Sequence, residues 1–266
     1  MADNYLITGY WGEPHVTAEN DRGINAATFG IGRFVLPVGQ KFNAEYIGNN
    51  TIRLYDGKLV DNGAVAGIPN GEYVDLLIPN AGQGLNRNDL IVFQYIQDAS
   101  TLIEKGEFVV VHGAETEETA TDPELTQGDL LSTETAFEQM PLWRVSVSGG
   151  AIAAPVRVFE IVNGDGQIGE EYRTTKRYNG NVVYTKTVDI GALPATSMKT
   201  FNIGVTRGQI VSIDVIVDNG TYLSSLPLIG SNGSPMVRFF VGTSLGIQTY
   251  DDYSAYSGRA IIEYIK

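Results

Sequence analysis

Apolar residues in this chain alternate with polar ones instead of recurring at helical spacing. Val211, Ile213, Val215 and Val217 share one face of an extended segment, while Ser212 and Asp214 share the other. A period of two is the mark of a half-buried strand. The same period runs through residues 181–188, 237–241 and 259–265, so strands dominate the second half. Residues 51–55, 90–95 and 108–112 are short runs rich in β-branched and aromatic side chains, bounded by turn formers, and they also predict strands.

Six dipeptides fall between or beside these runs: Asp56-Gly57, Asn62-Gly63, Asn70-Gly71, Asn179-Gly180, Asn219-Gly220 and Asn232-Gly233. Their glycines supply the positive φ of tight hairpin turns, which predicts antiparallel hairpins and meanders. The 31 glycines interrupt nearly every window before a helix reaches a typical length of about 11 residues. The best short-helix candidate is 126–138, and Gly128 weakens it. The expected fold is all-β.

Two stretches lack apolar periodicity. The acidic, Thr-rich segment 115–123 is followed by strand pattern at 140–147, so it reads as a loop within a domain. The segment 163–171 reads as the interdomain linker. The chain's 266 residues suit two domains. The expected division is an N-terminal domain over 1–165, a linker over 166–178 and a C-terminal domain over 179–266. There is no short tandem repeat and no collagen-like glycine register, so no repeat-built shaft is encoded.

Composition narrows the function. With 43% hydrophobic and 18% charged residues the chain is too apolar for disorder and too lightly charged for a coiled coil. A net charge of -13, from 31 acidic and 18 basic residues without a basic cluster, argues against nucleic acid and anionic membrane as partners. Without cysteine there is neither a disulfide nor a thiolate metal site, and burial and hydrogen bonding must hold the fold. The opening residues, Met1 to Tyr5, have no basic or apolar region of a signal peptide. No stretch approaches the ~20 apolar residues of a membrane span.

Catalytic chemistry finds little purchase. His15 and His112 lie far apart and outside any ligand-spaced cluster, which leaves structural histidines as the plain reading. Asn163-Gly164-Asp165-Gly166-Gln167, with Glu170 and Glu171 downstream, looks like the start of a calcium loop. Ile168 stands where that loop needs glycine, so a linker is preferred and no metal is expected. Adjacent carboxylates such as Asp251 with Asp252 and Glu170 with Glu171 point to opposite faces of a strand and do not form a glycosidase pair. Neither GxSxG nor GxxxxGK[ST] occurs, and Gly30-Ile31-Gly32 lacks the rest of a dinucleotide loop. The expectation is a binding protein without catalytic residues or cofactor.

Residues 9–22, reading Gly-Tyr-Trp-Gly-Glu-Pro-His-Val-Thr-Ala-Glu-Asn-Asp-Arg, are followed by Ala27-Thr28-Phe29-Gly30 and Phe34-Val35-Leu36. Together they resemble the N-terminal module of tail fibre and baseplate proteins of tailed bacteriophages and prophages of Gram-positive bacteria. Asn49-Asn50-Thr51-Ile52-Arg53, Asp56-Gly57, Gln83-Gly84, Arg87-Asn88-Asp89-Leu90 and Met140-Pro141-Leu142-Trp143-Arg144-Val145 continue the likeness over residues 1 to 160. The segment 183–194 resembles the opening of C-terminal domains on many such fibre proteins, and the closing residues 256–266 fit as well.

The resemblance implies a virion protein assembled in the host cytoplasm as a homotrimer of two β-sandwich-like domains. The N-terminal half would dock on the tail tip or baseplate, and the C-terminal half would meet the host surface, through wall polysaccharide. Aromatic rings stack on sugar faces while amides and carboxylates bond hydroxyls. Tyr222, Tyr250, Asp251, Asp252, Tyr253 and Tyr256 are therefore the candidate carbohydrate-binding residues, with tyrosines packed at a sheet edge as the structural alternative. A baseplate component without receptor contact, a polysaccharide-degrading enzyme and a secreted carbohydrate-binding module stay open as other readings.

Overall fold

A computed structural model of the chain describes residues 16–132, 135–164, 167–230, 233, 235–242 and 244–266. His15, Asp165, Gly166, Asn232 and the start of the resembling segment, residues 9–15, lie outside the described residues. Almost all regular structure is antiparallel strand, in two compact units, Met1–Ile161 and Val162–Lys266.

In the first unit, β1 (Arg33–Val35), β2 (Ala44–Gly48), β3 (Thr51–Asp61) and β4 (Ala64–Leu77) form one sheet. β3 is its hub. It pairs with β4 on one edge and, on the other, with β2 near its start and β1 near its end. The Asn62-Gly63 turn joins β3 to β4 with φ values of 45° and 89°, as its sequence requires. A second sheet has the order β6 (Glu104–His112), β5 (Asn86–Gln97), β7 (Phe137–Ser148), with β8 (Ala151–Ile152) and β9 (Val156–Arg157) both on β7. Ile52, Leu54, Leu59 and Leu76 of the first sheet share one core with Ile91, Phe93, Met140, Leu142 and Val145 of the second. Each such side chain, fully buried, contributes roughly 1.5–3 kcal/mol.

Two of the six dipeptides are not turns between strands. Asp56-Gly57 lies inside β3 and Asn70-Gly71 inside β4. The register passes from Tyr55 opposite Tyr73 to Gly57 opposite Ile68, so Pro69, Asn70, Gly71 and Glu72 stand against Asp56 alone. Glycine is needed at 57 for a different reason than a turn: a Cβ there falls 2.6 Å from the Phe42 backbone nitrogen.

The helix expectations are corrected. The described residues of 126–138 form no helix; the Gln139 backbone N–H donates to the Thr126 carbonyl, and β7 begins at Phe137. The helix of this unit is α1 (Ala18–Phe29), 12 residues long. Thr17 caps it by accepting from the Asn20 backbone, Glu19 and Asp21 sit in its positive first turn, and Gly30 closes it at φ 90°. The internal Gly23 costs about 1 kcal/mol, which these caps offset. Only Arg22 and Ala26 are buried, so it carries no apolar stripe for a periodicity search to find.

In the second unit, β10 (Glu171–Tyr178), β11 (Asn181–Ala192), β12 (Met198–Phe201), β13 (Ile210–Asp218), β14 (Leu223–Ser225), β15 (Leu228–Ile229), β16 (Pro235–Val241), β17 (Leu245–Thr249) and β18 (Ser257–Ile265) build two sheets. Their orders are β10-β11-β18-β13-β14 and β12-β17-β16-β15. Val215, Val217, Ala260, Ile262 and Tyr264 from the first sheet meet Val237, Leu245 and Ile247 from the second in one core. The expected linker over 166–178 is also corrected, because most of it is β10. Tyr172, Arg173 and Thr174 are buried there, and the Thr174 hydroxyl donates to the Val183 carbonyl at 2.7 Å. A strand that buries an Arg and a Thr has no apolar alternation and reads as a polar connector. Among the described residues, no helix is long and apolar enough to cross a membrane.

Candidate functional site

The six expected sugar-binding residues separate into four environments. Tyr222, at 71% exposure, sits on the turn between β13 and β14. There the Asn219 side-chain oxygen accepts from the Thr221 and Tyr222 backbones at 3.0 and 2.8 Å, which fixes the turn. The Asn219 amide nitrogen donates to the Tyr256 hydroxyl at 3.2 Å, so Tyr222 and Tyr256 meet through Asn219. Tyr250 stands apart at the end of β17, with the Arg238 guanidinium 5.5 Å from its ring centroid. Tyr253 is 7% exposed and packs in the core, its ring 5.1 Å from that of Tyr256. Burial, then the neighbouring Tyr256 and Asp251, push its hydroxyl pKa up. It offers no ring face to a ligand.

Asp251 and Asp252 are exposed. The Ser254 backbone N–H, 2.9 Å away, and the Ser254 hydroxyl hold the Asp252 carboxyl below the usual carboxylate range. That is a loop-closing role. Glu170 and Glu171 also part company: the first accepts from the Tyr172 hydroxyl and the second pairs with Lys266. His112 lies 3.1 Å from Asp89 Oδ2, and that buried carboxylate also takes Arg87 Nε at 2.7 Å and Nη2 at 2.9 Å. Among the described residues no three His, Cys, Asp or Glu side chains gather as a metal site.

The sheet face beside the Asn219 turn holds a cleft of about 180 Å³ that periodicity did not reveal. Cross-strand register builds it. Asp189 of β11 and Ile216 of β13 stand on either side of Arg259 of β18, and Asp218 stands opposite Ser257. Ile168 and Leu223, 57% and 66% exposed, complete its rim. The Asp189 carboxylate accepts from the Gly191 backbone at 2.8 Å and that of Asp218 from Gly220 at 2.7 Å. One oxygen of each is thereby fixed, and the other has no partner among the described residues. The Arg259 side chain likewise has no hydrogen bond or ion pair among them. Donors and acceptors without partners among the described residues, beside the side chains of Ile168, Ile216 and Leu223, suit one ring-sized polar group; the volume is below the ~300 Å³ of ordinary small-molecule pockets.

The larger cleft of the first unit, about 560 Å³, is chemically occupied by its own residues. The Asn88 amide donates to Ala120 and Asp122, its oxygen accepts from Ser146, and Arg144 pairs with Asp122. No known protein family matches this chain, and no curated protein resembles it in sequence.

Proposed function

We propose that this chain is a virion protein of a phage tail fibre or baseplate that attaches the particle to the host surface, without catalysing a reaction. In this reading the first unit docks on the tail, the second binds wall polysaccharide, each unit is a β-sandwich, and three chains assemble as a homotrimer in the host cytoplasm. Support comes from the sequence resemblance over residues 1 to 160 and 183–194, and from the antiparallel, cysteine-free construction of both units.

The observation that carries the reading is the cleft around Arg259. Its guanidinium and one oxygen each of Asp189 and Asp218, without partners among the described residues, are the groups a sugar's hydroxyls and charged substituents engage, with Tyr222 exposed on the adjoining turn. Sedimentation of the purified protein with Gram-positive cell walls tests it. The protein should pellet with intact walls and stay in solution with walls stripped of secondary polysaccharide; equal pelleting with both, or with neither, overturns the reading. Light scattering should give the mass of three chains, and a monomer would remove the trimeric part.

A further inference from the structure

Inside the first unit lies a cluster of charges that no surface function uses. Arg33 stands opposite Asp61 in the β1–β3 register, and its Nε donates to Asp61 Oδ1 at 3.2 Å. Its Nη2 donates to the Gly128 carbonyl at 2.8 Å and lies 2.5 Å from Glu138 Oε1 of β7. Its Nη1 meets the Gln127 side chain, and the Gly128 backbone N–H donates to Glu138 Oε2. The Asp61 and Glu138 side chains are both 0% exposed.

The two carboxyls share one guanidinium, Asp61 at its Nε and Glu138 at its Nη2. Two ionised carboxylates are acceptors only, so their buried oxygens need either further donors or a proton of their own. Asp61 Oδ2 and Glu138 Oε1 are buried without a hydrogen-bond partner among the described residues, since the close Arg33 Nη2 lies off the hydrogen-bond direction at Oε1. Charge points the same way. One guanidinium faces two buried carboxylates, and Asp129, on the segment packed against them, adds further negative potential. Arg22 of α1, a cation that reaches that segment, is committed to the Leu130 carbonyl at 2.9 Å and to Glu104 at 2.6 Å. Full ionisation would bury an uncompensated charge.

We propose that the folded first unit retains one proton shared between Asp61 and Glu138, and that losing it loosens the attachment of residues 126–130 to β1 and β7. Burial and then the Asp61 charge push the Glu138 carboxyl up to about 7, and burial raises Asp61 against the opposing pull of Arg33. The proton belongs to the pair and not to either residue alone. A group whose folded pKa is raised stabilises fully below its ordinary value, here 4.5, and that contribution is lost as pH rises through about 7.

Denaturant unfolding of the full chain, followed by tryptophan fluorescence, tests the proposal, because Trp143 lies in β7 of this unit and residues 162–266 contain no tryptophan. Between pH 5 and pH 8 the folded-to-unfolded ratio of this unit should fall by about tenfold or more. Glu138→Gln, whose amide brings its own donor, should flatten that fall; any contribution of His112 is common to both proteins. A wild-type ratio that stays level or rises over this range overturns the proposal, as does Glu138→Gln with undiminished pH dependence. If Glu138→Gln does not fold, Asp61→Asn serves as the same comparison: a flattened profile supports the shared proton and an unchanged one refutes it.

Discussion

The Asn219 amide reaches from the turn between β13 and β14 to the hydroxyl of Tyr256, 3.2 Å away on the loop before β18. The same side chain accepts from the Thr221 and Tyr222 backbones, so one residue fixes both the turn that presents Tyr222 and the loop that packs Tyr253 into the core. Tyr256→Phe removes that bond while keeping the ring. It should lower the stability of the second unit by roughly 0.5–1.5 kcal/mol, measured by circular dichroism in urea, and speed amide exchange at Thr221 and Tyr222.

Gly63 ties α1 to the first sheet. Its φ is 89°, and a Cβ there would lie 2.1 Å from the Arg22 carbonyl oxygen, a backbone atom that cannot swing aside. Gly63→Ala therefore combines an unfavourable backbone conformation with overpacking. It should cost about 1–3 kcal/mol in the first unit, seen as an earlier tryptophan fluorescence transition.

Trp143 is held at both ends of its ring system. Nε1 donates to the Phe42 carbonyl at 2.7 Å, and the indole stands edge-on to Phe159 with centroids 5.6 Å apart. Trp143→Phe leaves the Phe42 carbonyl without this donor and a gap in the core. A loss of about 1–3 kcal/mol is expected from the unsatisfied carbonyl, with packing loss in addition. Circular dichroism should report it, since the substitution removes the tryptophan of β7.

Acid should affect the first unit with the opposite sign to the shared proton. The Arg144 guanidinium, bonded to Asp122, holds that carboxyl below its ordinary 3.8. Its contribution is present above that value and lost as pH falls through the lower folded pKa. The first unit should therefore be most stable in mild acid and weaken on both sides. Arg144→Gln should shrink the acid-side loss and leave the decline between pH 5 and 8 in place, both read from urea midpoints.

Strand identity was legible wherever a strand has one wet face, as in β13 and β18, because alternation follows directly from the pleat. The Asn62-Gly63 and Asn179-Gly180 turns were legible from local chemistry, with the φ values their residues favour. What escaped depended on partners distant in sequence. Asp56-Gly57 resembles a turn but is a strand interior, shaped by Phe42 packing over it. α1 buries an arginine and an alanine instead of an apolar stripe. β10 buries Arg173 and Thr174 within a polar sequence. The cleft was invisible for the same reason: Asp189, Ile216 and Arg259 lie on three strands and meet only through register. Of the tyrosines singled out from sequence, Tyr222 stands nearest to that role, whereas Tyr253 became core.

Wall binding by Arg259→Ala measured against wild type is the most direct test of the attachment account. Arg259 is exposed and without partners among the described residues, so its removal should change stability by no more than about 0.5 kcal/mol. Affinity for purified Gram-positive walls, read by equilibrium sedimentation, should fall by about tenfold or more, or ~1.4 kcal/mol. Wild-type affinity in the folded variant would contradict the account and move attachment away from this cleft.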